Sequence, residues 1–515
     1  MHRCLEIPDV LDAIISHLPA APMEESPEAR DFAAIRRRAL ASLACASRNF
    51  EEPALNALWR FQETIMNLLN LMPAGLWERL DGAMRPTRRL VQEDLKRLEH
   101  YSHRVKHLEL WEQGPTFIHV FGALRLVLPA NSALLPNLHF LLWTYSDGAT
   151  YPFIDLFLGP ELKALIFGGA QGCNAHYALL AKLEQSITPT LWTFCLDPPA
   201  PGSTPPPTNW VSNFARRMTH IKVFLVGAPI NLSALIHLGG LETLHTFRAT
   251  LPTSISIPEP PKGTLFSNMR EVTLGIESGG IPAATEFVRT WNIPPVESFN
   301  GNYSGCIVPQ HLEDFHGVLG THCRLDTLKE FNLCLWDQSP GCLYPGHLLT
   351  SLILFHNLTV LYISAYEGYE ITDEIVSSLA RAWPQLEEFH LASVVQSRHP
   401  PRATLLAIRA LAQHCPNLRA LEMTFDAINV PPNAPLAIRQ RSLPQLDVVF
   451  SPITEPRPVG QFLSGIFAEL REITTQDFST AMLWANATMF ASSFGNPQPT
   501  PWSDQEEKEK EVVYL

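Results

Sequence analysis

The sequence predicts an α/β fold in which a three-helix N-terminal module precedes an irregular solenoid of strand-and-helix repeats. A six-residue pattern, apolar at its first, fourth and sixth positions, recurs along most of the 515-residue chain. A helical pattern of apolar residues, bracketed by two prolines, opens the sequence. Hydrophobic residues make up 46% of the chain and charged residues only 17%, which favours a packed chain over a disordered one.

The first helical pattern covers residues 7–18. Its apolar residues recur at the spacing that places them on one helix face, and Pro8 and Pro19 suit the start and the end of that helix. The face comprises Ile7, Val10, Leu11, Ile14, Ile15 and Leu18. A helical segment this short cannot bury such a face alone, so we expect the face to dock on another surface.

Two more helices are expected before residue 60. Leu43 and Phe50 bound a Leu-Ala-x-Ala-x-Arg-x-Phe element, and Pro53 suits the first turn of a helix that ends near Arg60. Residues 20–38, which contain several prolines and an arginine run, are predicted to be a solvated loop insertion. Residues 1–60 are therefore predicted to form a three-helix module with an insertion at 20–38.

These motifs together resemble an F-box. The resemblance rests on the Ile-Pro-x-x-Val-Leu-x-x-Ile-Ile-x-x-Leu pattern from Ile7, the element ending at Phe50, and the Leu-Trp-Arg sequence at 58–60. It implies binding to a Skp-type adaptor and, through it, to the cullin scaffold of a ubiquitin ligase. The residues that it assigns to adaptor binding are Leu5, Ile7, Pro8, Leu11, Ile14, Ile15, Leu18, Leu43 and Phe50.

The repeated six-residue pattern predicts one strand per copy. Good copies begin at Val105, Leu138, Leu162, Leu191, Ile221, Met269, Leu328, Leu358, Leu386 and Leu418, and weaker ones at Leu244, Val296 and Leu446. Successive copies begin 23 to 33 residues apart, a spacing typical of stacked strand-plus-helix units. Several copies follow a proline by two residues, which ends the preceding helix. We expect a helical linker at 61–100 and the solenoid at 101–450.

The pattern is similar to that of leucine-rich repeats, and the whole chain resembles fungal-type F-box proteins with degenerate repeats of this kind. The resemblance implies parallel strands inside an arc and helices outside it. The repeats are degenerate because residues such as Gln113 and Tyr366 stand where the family places Asn or Cys. Helical spacing of apolar residues from Phe462 to Ile473 predicts a helical cap at 451–495. The acidic tail at 496–515 is predicted to be disordered.

Charge and cysteine content narrow the function classes. The 38 basic and 51 acidic residues give a net charge of −13, which disfavours nonspecific binding to nucleic acid or an anionic membrane. Nine scattered cysteines indicate free thiols in a reducing compartment. With no leader pattern and no apolar stretch of bilayer length in the sequence, we expect a cytoplasmic or nuclear protein.

The sequence carries no recognisable catalytic motif. It has no phosphate-binding glycine loop, no G-x-S-x-G and no H-E-x-x-H. His100, His103 and His107 with Glu99 are spaced to share a helix face, but a strand beginning near Val105 would break that face. We therefore expect no catalytic residues, no metal site and no cofactor.

Two functions stay open at this point. In the first, the chain is a noncatalytic substrate-recognition adaptor of an SCF-type cullin-RING ubiquitin ligase, and its repeats bind an unknown protein target. In the second, it is a protein-interaction scaffold unrelated to ubiquitin transfer, and its N-terminal helices only cap the repeats. An outward apolar face containing Leu11, Ile14, Ile15 and Leu18 would favour docking, and packing of that face against the repeats would favour capping.

Overall fold

The computed structural model divides into two compact units, Met1–Leu244 and His245–Leu515. It describes residues 8–16, 27–111, 117–129, 132–144, 149–168, 183, 190–197, 208–254, 265–337, 343–432 and 440–495. Within these ranges, the strands of each unit pair in parallel, and helices pack on one face of them.

The first unit begins with helices. These are α1 (Pro8–Ser16), α2 (Pro27–Ala46) and α3 (Arg48–Trp59). The segment that follows contains β1 (Phe61–Gln62), α4 (Met66–Leu69), β2 (Trp77–Leu80), β3 (Ala83–Pro86) and α5 (Gln92–Ser102). Strands β2 and β3 form an antiparallel hairpin, whereas β1 pairs in parallel with the first repeat strand.

The repeats of the first unit follow. Their elements are β4 (His107–Leu110), α6 (Ile118–Val127), β5 (Phe140–Trp143), a 3-10 helix (Tyr151–Leu156), β6 (Ala164–Phe167), β7 (Thr193–Leu196), α7 (Thr208–Arg216), β8 (Val223–Pro229) and α8 (Leu232–Gly239). The parallel strand order is β1-β4-β5-β6-β7-β8, so each strand pairs with the strand of the next repeat.

The second unit repeats the same scheme. Its strands are β9 (Thr246–Leu251), β10 (Glu271–Ile276), β11 (Ser298–Ser304), β12 (Glu330–Trp336), β13 (Tyr344–Pro345), β14 (Val360–Ala365), β15 (Tyr369–Glu370), β16 (Glu388–Ser393), β17 (Ala420–Met423), β18 (Gln445–Asp447) and β19 (Glu472–Thr474). Its helices are α9 (Ile281–Val288), α10 (Pro309–His322), a 3-10 helix (Gly346–Leu354), α11 (Asp373–Ala382), α12 (Leu405–His414), α13 (Pro456–Ile466) and α14 (Ala481–Gly495). All its strands except β13 and β15 form one parallel sheet in chain order.

The fourth residue of each repeated pattern forms the core of these sheets. In the first unit these residues pair in register as Leu108, Leu141, Leu165, Phe194 and Phe224. In the second unit they are Phe247, Val272, Phe299, Phe331, Leu361, Phe389, Leu421, Leu446 and Ile473. None is more than 7% exposed. Helices cover this face, as the contacts Phe194–Phe214 and Phe299–Phe315 show, with ring centroids 4.8 and 6.0 Å apart.

The predicted α/β class with parallel strands is confirmed, and the structure corrects the register of one copy. Leu446 pairs with Leu421, so it is the fourth residue of a copy that begins at Leu443 and not the first residue of a copy. One further copy begins at Leu470, because Ile473 pairs with Leu446. The residues Leu470 and Ile473, predicted to lie on a cap helix, therefore belong to β19 and the turn before it.

Three predicted segments differ in detail from the observed elements. Residues 27–38 of the predicted loop insertion form the first turns of α2, because Pro27 suits a first helical position and alanine and arginine favour a helix. Residues 61–100, predicted to be helical, contain three strands as well as α4 and α5. Residues 451–495 contain β19 in addition to α13 and α14. The acidic tail lies outside the described residues.

The two C-terminal helices pack closely. A Cβ atom on Gly460 of α13 would lie 2.5 Å from the carbonyl oxygen of Ala487 in α14, so only glycine permits this approach. The indole Nε1 of Trp484 donates to the carbonyl oxygen of Ser451 at 3.0 Å. These contacts hold α14 against the last repeats of the second unit.

The assignment of the core can be tested on one strand pair. Replacing Leu361, which is fully buried, by alanine should lower the free energy of unfolding by about 2–5 kcal/mol, because it leaves a cavity. Replacing the exposed Glu330 on the neighbouring strand by alanine is the matched control and should change it by about 0.5 kcal/mol or less. Urea unfolding measures both, and equal losses would contradict the assignment.

Candidate functional site

Helices α1, α2 and α3 share a small apolar core. Ile15 of α1 and Leu40 of α2 are buried together, and Leu43, Ala57 and Leu58 pack against them. Part of the apolar face of α1 thus packs against α2 and α3. The three helices form a module whose core comes from its own residues.

The structure divides the predicted adaptor-binding residues into different environments. Leu11 and Ile15 are each only 3% exposed, whereas Ile14 on the same helix is 47% exposed. Leu43 and Phe50 are half-buried. Pro8 begins α1, and Leu5, Ile7 and Leu18 lie outside the described residues. Of the predicted α1 residues with described side chains, Ile14 is the one that faces outward.

One exposed apolar residue of the module was missed by the sequence reasoning. Ile35 lies on α2 and is 58% exposed. It was overlooked because residues 20–38 were predicted to be a loop, where a single isoleucine has no defined face. The signal was the run of helix-favouring residues around it, which continues the helix from Pro27 to Ala46. Among the described side chains of the module, Ile14 and Ile35 are the large apolar ones that are exposed.

A buried arginine joins the module to the first repeat. The side chain of Arg104, just before β4, is 2% exposed. Its Nη1 and Nη2 donate to the two carboxylate oxygens of Glu52 in α3 at 2.7 and 2.9 Å, and Nη1 also donates to Asn56. These hydrogen bonds lower the pKa of Glu52 below its ordinary value. A paired guanidinium thus fixes α3 on the sheet.

The second unit carries a column of polar side chains on the uncovered face of its sheet. The column follows the strand register and consists of Arg248, Thr273, Asn300, Asn332, Tyr362, His390, Glu422, Asp447 and Thr474. Because side chains alternate along a strand, these positions point away from the apolar core. One polar residue per repeat therefore lies at the same height on neighbouring strands.

The C-terminal part of this column is an interacting network. His390 Nδ1 lies 2.9 Å from a carboxylate oxygen of Glu422, and the rings of Tyr362 and His390 lie 5.7 Å apart. Burial, with a smaller contribution from the Glu422 charge, raises the pKa of Asp447. Burial likewise raises the pKa of Tyr362. The network offers hydrogen-bond acceptors and donors to a bound molecule.

A cleft of about 560 Å³ opens where β16 and β17 end. Its apolar lining includes Leu391, Ile428, Phe450 and Pro452, and its charged lining includes Glu367, Glu370, Arg398 and Arg402. Arg402 Nε lies 3.0 Å from Glu370 Oε1. Mixed apolar and charged walls at the carboxyl ends of parallel strands suit a peptide or small molecule.

Among the described residues, no group of three or more His, Cys, Asp or Glu side chains is arranged to hold a metal ion. His103 ends α5 and His107 lies in β4, so the two imidazoles do not share a helix face. In the same part of the chain, none of the helices combines the length and apolar character that a bilayer crossing requires.

Comparison with known proteins leaves the family open. No protein-family model matches the sequence, and no curated protein matches it significantly. The chain is similar to a solved structure described as "Crystal structure of Rad7 and Elc1 complex in yeast", with 15% identity, coverage of 72% of this chain and 76% of that chain, and a TM-score of 0.33.

A second similar structure is the LRR ectodomain of the plant membrane receptor kinase GASSHO1/SCHENGEN3 from Arabidopsis thaliana, in complex with CASPARIAN STRIP INTEGRITY FACTOR 2. The identity is 12%, the match covers 82% of this chain and 45% of that chain, and the TM-score is 0.28. Neither similarity assigns a family or a partner to this chain.

The role of the Arg104 pair can be tested by Glu52→Gln. We expect a loss of about 1–2 kcal/mol in the free energy of unfolding at pH 7, because Arg104 is buried while solvent screens the 65% exposed Glu52. The matched control is Glu286→Gln, which breaks the exposed pair with Arg289 and should cost about 0.5 kcal/mol or less.

The same pair predicts a pH dependence. Since the folded pKa of Glu52 lies below its ordinary value of 4.5, its stabilising effect is complete above pH 4.5 and is lost as the pH falls through the folded pKa. The difference in Tm between the wild type and Glu52→Gln should therefore shrink in acid. A difference that is constant between pH 7 and pH 3 would contradict the pairing.

Proposed function

We propose that this chain is a noncatalytic substrate-recognition adaptor of an SCF-type cullin-RING ubiquitin ligase in the cytoplasm or nucleus. In this proposal, helices α1–α3 bind a Skp-type adaptor and through it the cullin scaffold. The repeats bind a protein target. Ubiquitin transfer is done by the recruited ligase, and the chain contributes proximity, which raises the local concentration of the target.

The observation that supports this function is the way α1 is packed. Leu11 and Ile15 are buried, and Ile15 lies in the three-helix core, so the module can be ordered while another part of its surface stays free. Ile14 and Ile35 are about half exposed, which suits contact with a partner. The expected outward face of Leu11, Ile14, Ile15 and Leu18 is reduced, among the described side chains, to Ile14, and its exposure together with that of Ile35 supports docking over capping.

The packing also refines which residues carry the proposed contact. Leu11 and Ile15 support the module from inside, so they act on adaptor binding through the fold. Ile14 and Ile35 are the proposed direct contacts among the described side chains. The contacts proposed for Leu5, Ile7, Pro8 and Leu18 follow from the resemblance to an F-box, and Leu43 and Phe50 are half-buried and at most partly available.

Adaptor binding is tested with the full chain carrying Ile14→Asp and Ile35→Asp. Binding of a purified Skp-type adaptor, measured by calorimetry or pull-down, should weaken about tenfold or more, because two apolar contacts become desolvated charges. The matched control is Leu126→Asp on α6, which changes a residue that is 78% exposed and lies outside the module. It should leave adaptor binding unchanged.

Buried positions of α1 give the contrasting result. Leu11→Asp should melt the module and lower its helical signal, which separates loss of fold from loss of contact. If the wild-type chain binds no Skp-type adaptor, or if the Ile14→Asp, Ile35→Asp variant binds as well as the wild type, the scaffold function unrelated to ubiquitin is the better account.

A further inference from the structure

A row of mainly basic side chains follows the beginnings of the strands in the first unit. Lys106, His139, Lys163, Trp192 and Lys222 occupy the second position of successive repeats, and Arg60 stands directly before β1 at the start of the row. Backbone hydrogen bonds of 2.7–2.9 Å join each to the next, from the amide of one residue to the carbonyl oxygen of the one before. At about 4.8 Å per strand, Lys106 and Lys222 lie about 19 Å apart.

The arginine and lysines of this row form no ion pairs with the described residues. No ion pair involves Arg60, Lys106, Lys163 or Lys222 in this part of the chain, although the protein as a whole has a net charge of −13. The row is therefore a local concentration of positive charge that is not ion-paired, although the Glu161 carboxylate lies near His139.

In the equivalent row of the second unit, neighbouring charged residues form ion pairs with one another. Glu297 accepts from Arg270 at 3.3 Å and from Lys329 at 3.1 Å. Arg419 lies 3.4 Å from Glu387. The repeat geometry thus permits pairing between neighbouring second positions. In the first unit the sequence places basic residues where the pairing acids would stand.

Contacts within the basic row hold its charges close together. The ammonium groups of Lys163 and Lys222 lie 4.9 and 4.2 Å from the centre of the Trp192 ring. Burial and the neighbouring Lys106 and Lys163 lower the pKa of His139, and the nearby Glu161 carboxylate opposes them. The positive charges of the row repel one another, and an anionic partner would relieve this repulsion.

An apolar floor lies directly beside the basic row. One residue further along β5, β6 and β8 stand Phe140, Ala164 and Val223, and two residues beyond those stand Leu142, Ile166 and Leu225, all half-buried. At the same positions β7 carries Thr193 and Cys195, and β4 carries His107 and Glu109, which lie 3.0 Å apart. The ring of Phe140 is stacked on His107 with centroids 3.9 Å apart. Since Trp192 lies against two lysines, the surface left for a ligand is mostly aliphatic.

We propose that this face of the first unit binds an acidic segment of a partner protein that also carries apolar side chains. Its carboxylates lie along the basic row and its apolar side chains on the floor. A nucleic acid fits this surface less well, because its bases stack on free aromatic faces and aliphatic side chains do not provide them. This proposal adds a binding surface to the proposed function. It rests on that function only where it identifies the bound segment as part of the target protein.

The experiment uses the full chain and a fluorescent decapeptide, Glu-Glu-Leu-Leu-Glu-Glu-Phe-Leu-Glu-Glu, which is long enough in extended form to span the row. Fluorescence anisotropy should show binding that weakens with salt. Lys163→Glu with Lys222→Glu should weaken it about tenfold or more. The matched control, Lys329→Glu with Arg419→Glu, makes the same change in net charge on cations already paired, and should leave binding near the wild-type value.

Two further arms test the floor and the competing ligands. Leu142→Asn with Leu225→Asn should weaken binding of the decapeptide. A decamer of glutamate alone should bind the wild-type chain more weakly than the decapeptide does, and these two substitutions should change its binding little. Thermal melts confirm that each variant is folded. The neutral pair Lys163→Gln with Lys222→Gln serves if the charge reversal does not fold, and it should also weaken binding.

Several results would overturn the inference. These are absence of decapeptide binding, equal binding by the basic-row and control variants, equal binding of the glutamate decamer, and tighter binding of a single-stranded RNA decamer. Self-association of the chain that the basic-row variant abolishes would assign the surface to a second copy instead. A pull-down of the Skp-type adaptor with the same proteins distinguishes the two proposals. Peptide binding that depends on the basic row, without adaptor binding, would overturn the proposed function alone. Adaptor binding without peptide binding that depends on the basic row would overturn this surface alone.

Discussion

The structure depends on one packing constraint, the in-register stacking of the fourth residue of each repeat against its equivalents in the neighbouring repeats. A single strand of three to seven residues with one helix cannot bury its apolar face, so each repeat is completed by the next. Leu361, for example, pairs with Phe331 on one side and Phe389 on the other. Any residue that interrupts the column leaves a cavity shared by three repeats.

The same constraint decides which residues are free to vary. The first, fourth and sixth positions of each copy pack in the apolar core. The second, third and fifth positions do not pack in that core, so their side chains can vary. The two units use this freedom differently. In the first unit, the second position is basic except at Trp192, and the fifth is aliphatic in three of the five repeats. In the second unit, several charged second positions pair with one another, and the fifth position is polar throughout. One backbone scheme therefore presents two chemically distinct surfaces.

Much of the fold followed from the sequence because the repeated pattern is local. The period of the apolar residues predicted the strands, and Pro384 and Pro416 marked the ends of the helices before β16 and β17. The register of the last copies was less accessible, since Leu443 and Leu446 each begin an acceptable version of the pattern. Only the pairing of Leu446 with Leu421 decides between them.

The candidate surfaces were harder to predict because they join residues far apart in sequence. Lys163 and Lys222 are separated by 59 residues, and they approach the same indole ring only once the strands are in register. On α1, the helical spacing identified an apolar face correctly but did not indicate which part packs inside the module. Leu11 and Ile15 are buried and Ile14 is exposed because of where α2 and α3 lie. The spacing of apolar residues in α1 gives no information about those positions.

The junction between module and repeats shows why a boundary in sequence is not a boundary in structure. The motifs of residues 1–60 end where β1 begins, yet Arg104 from the first repeat is buried against Glu52 of α3. Truncation at residue 60 would leave this guanidinium desolvated without its carboxylate, an arrangement that destabilises the repeat itself. Loss of target binding after such a truncation would therefore not show that the module contacts the target. Substitution of exposed residues such as Ile14, which leaves the Arg104 pair intact, separates the two roles.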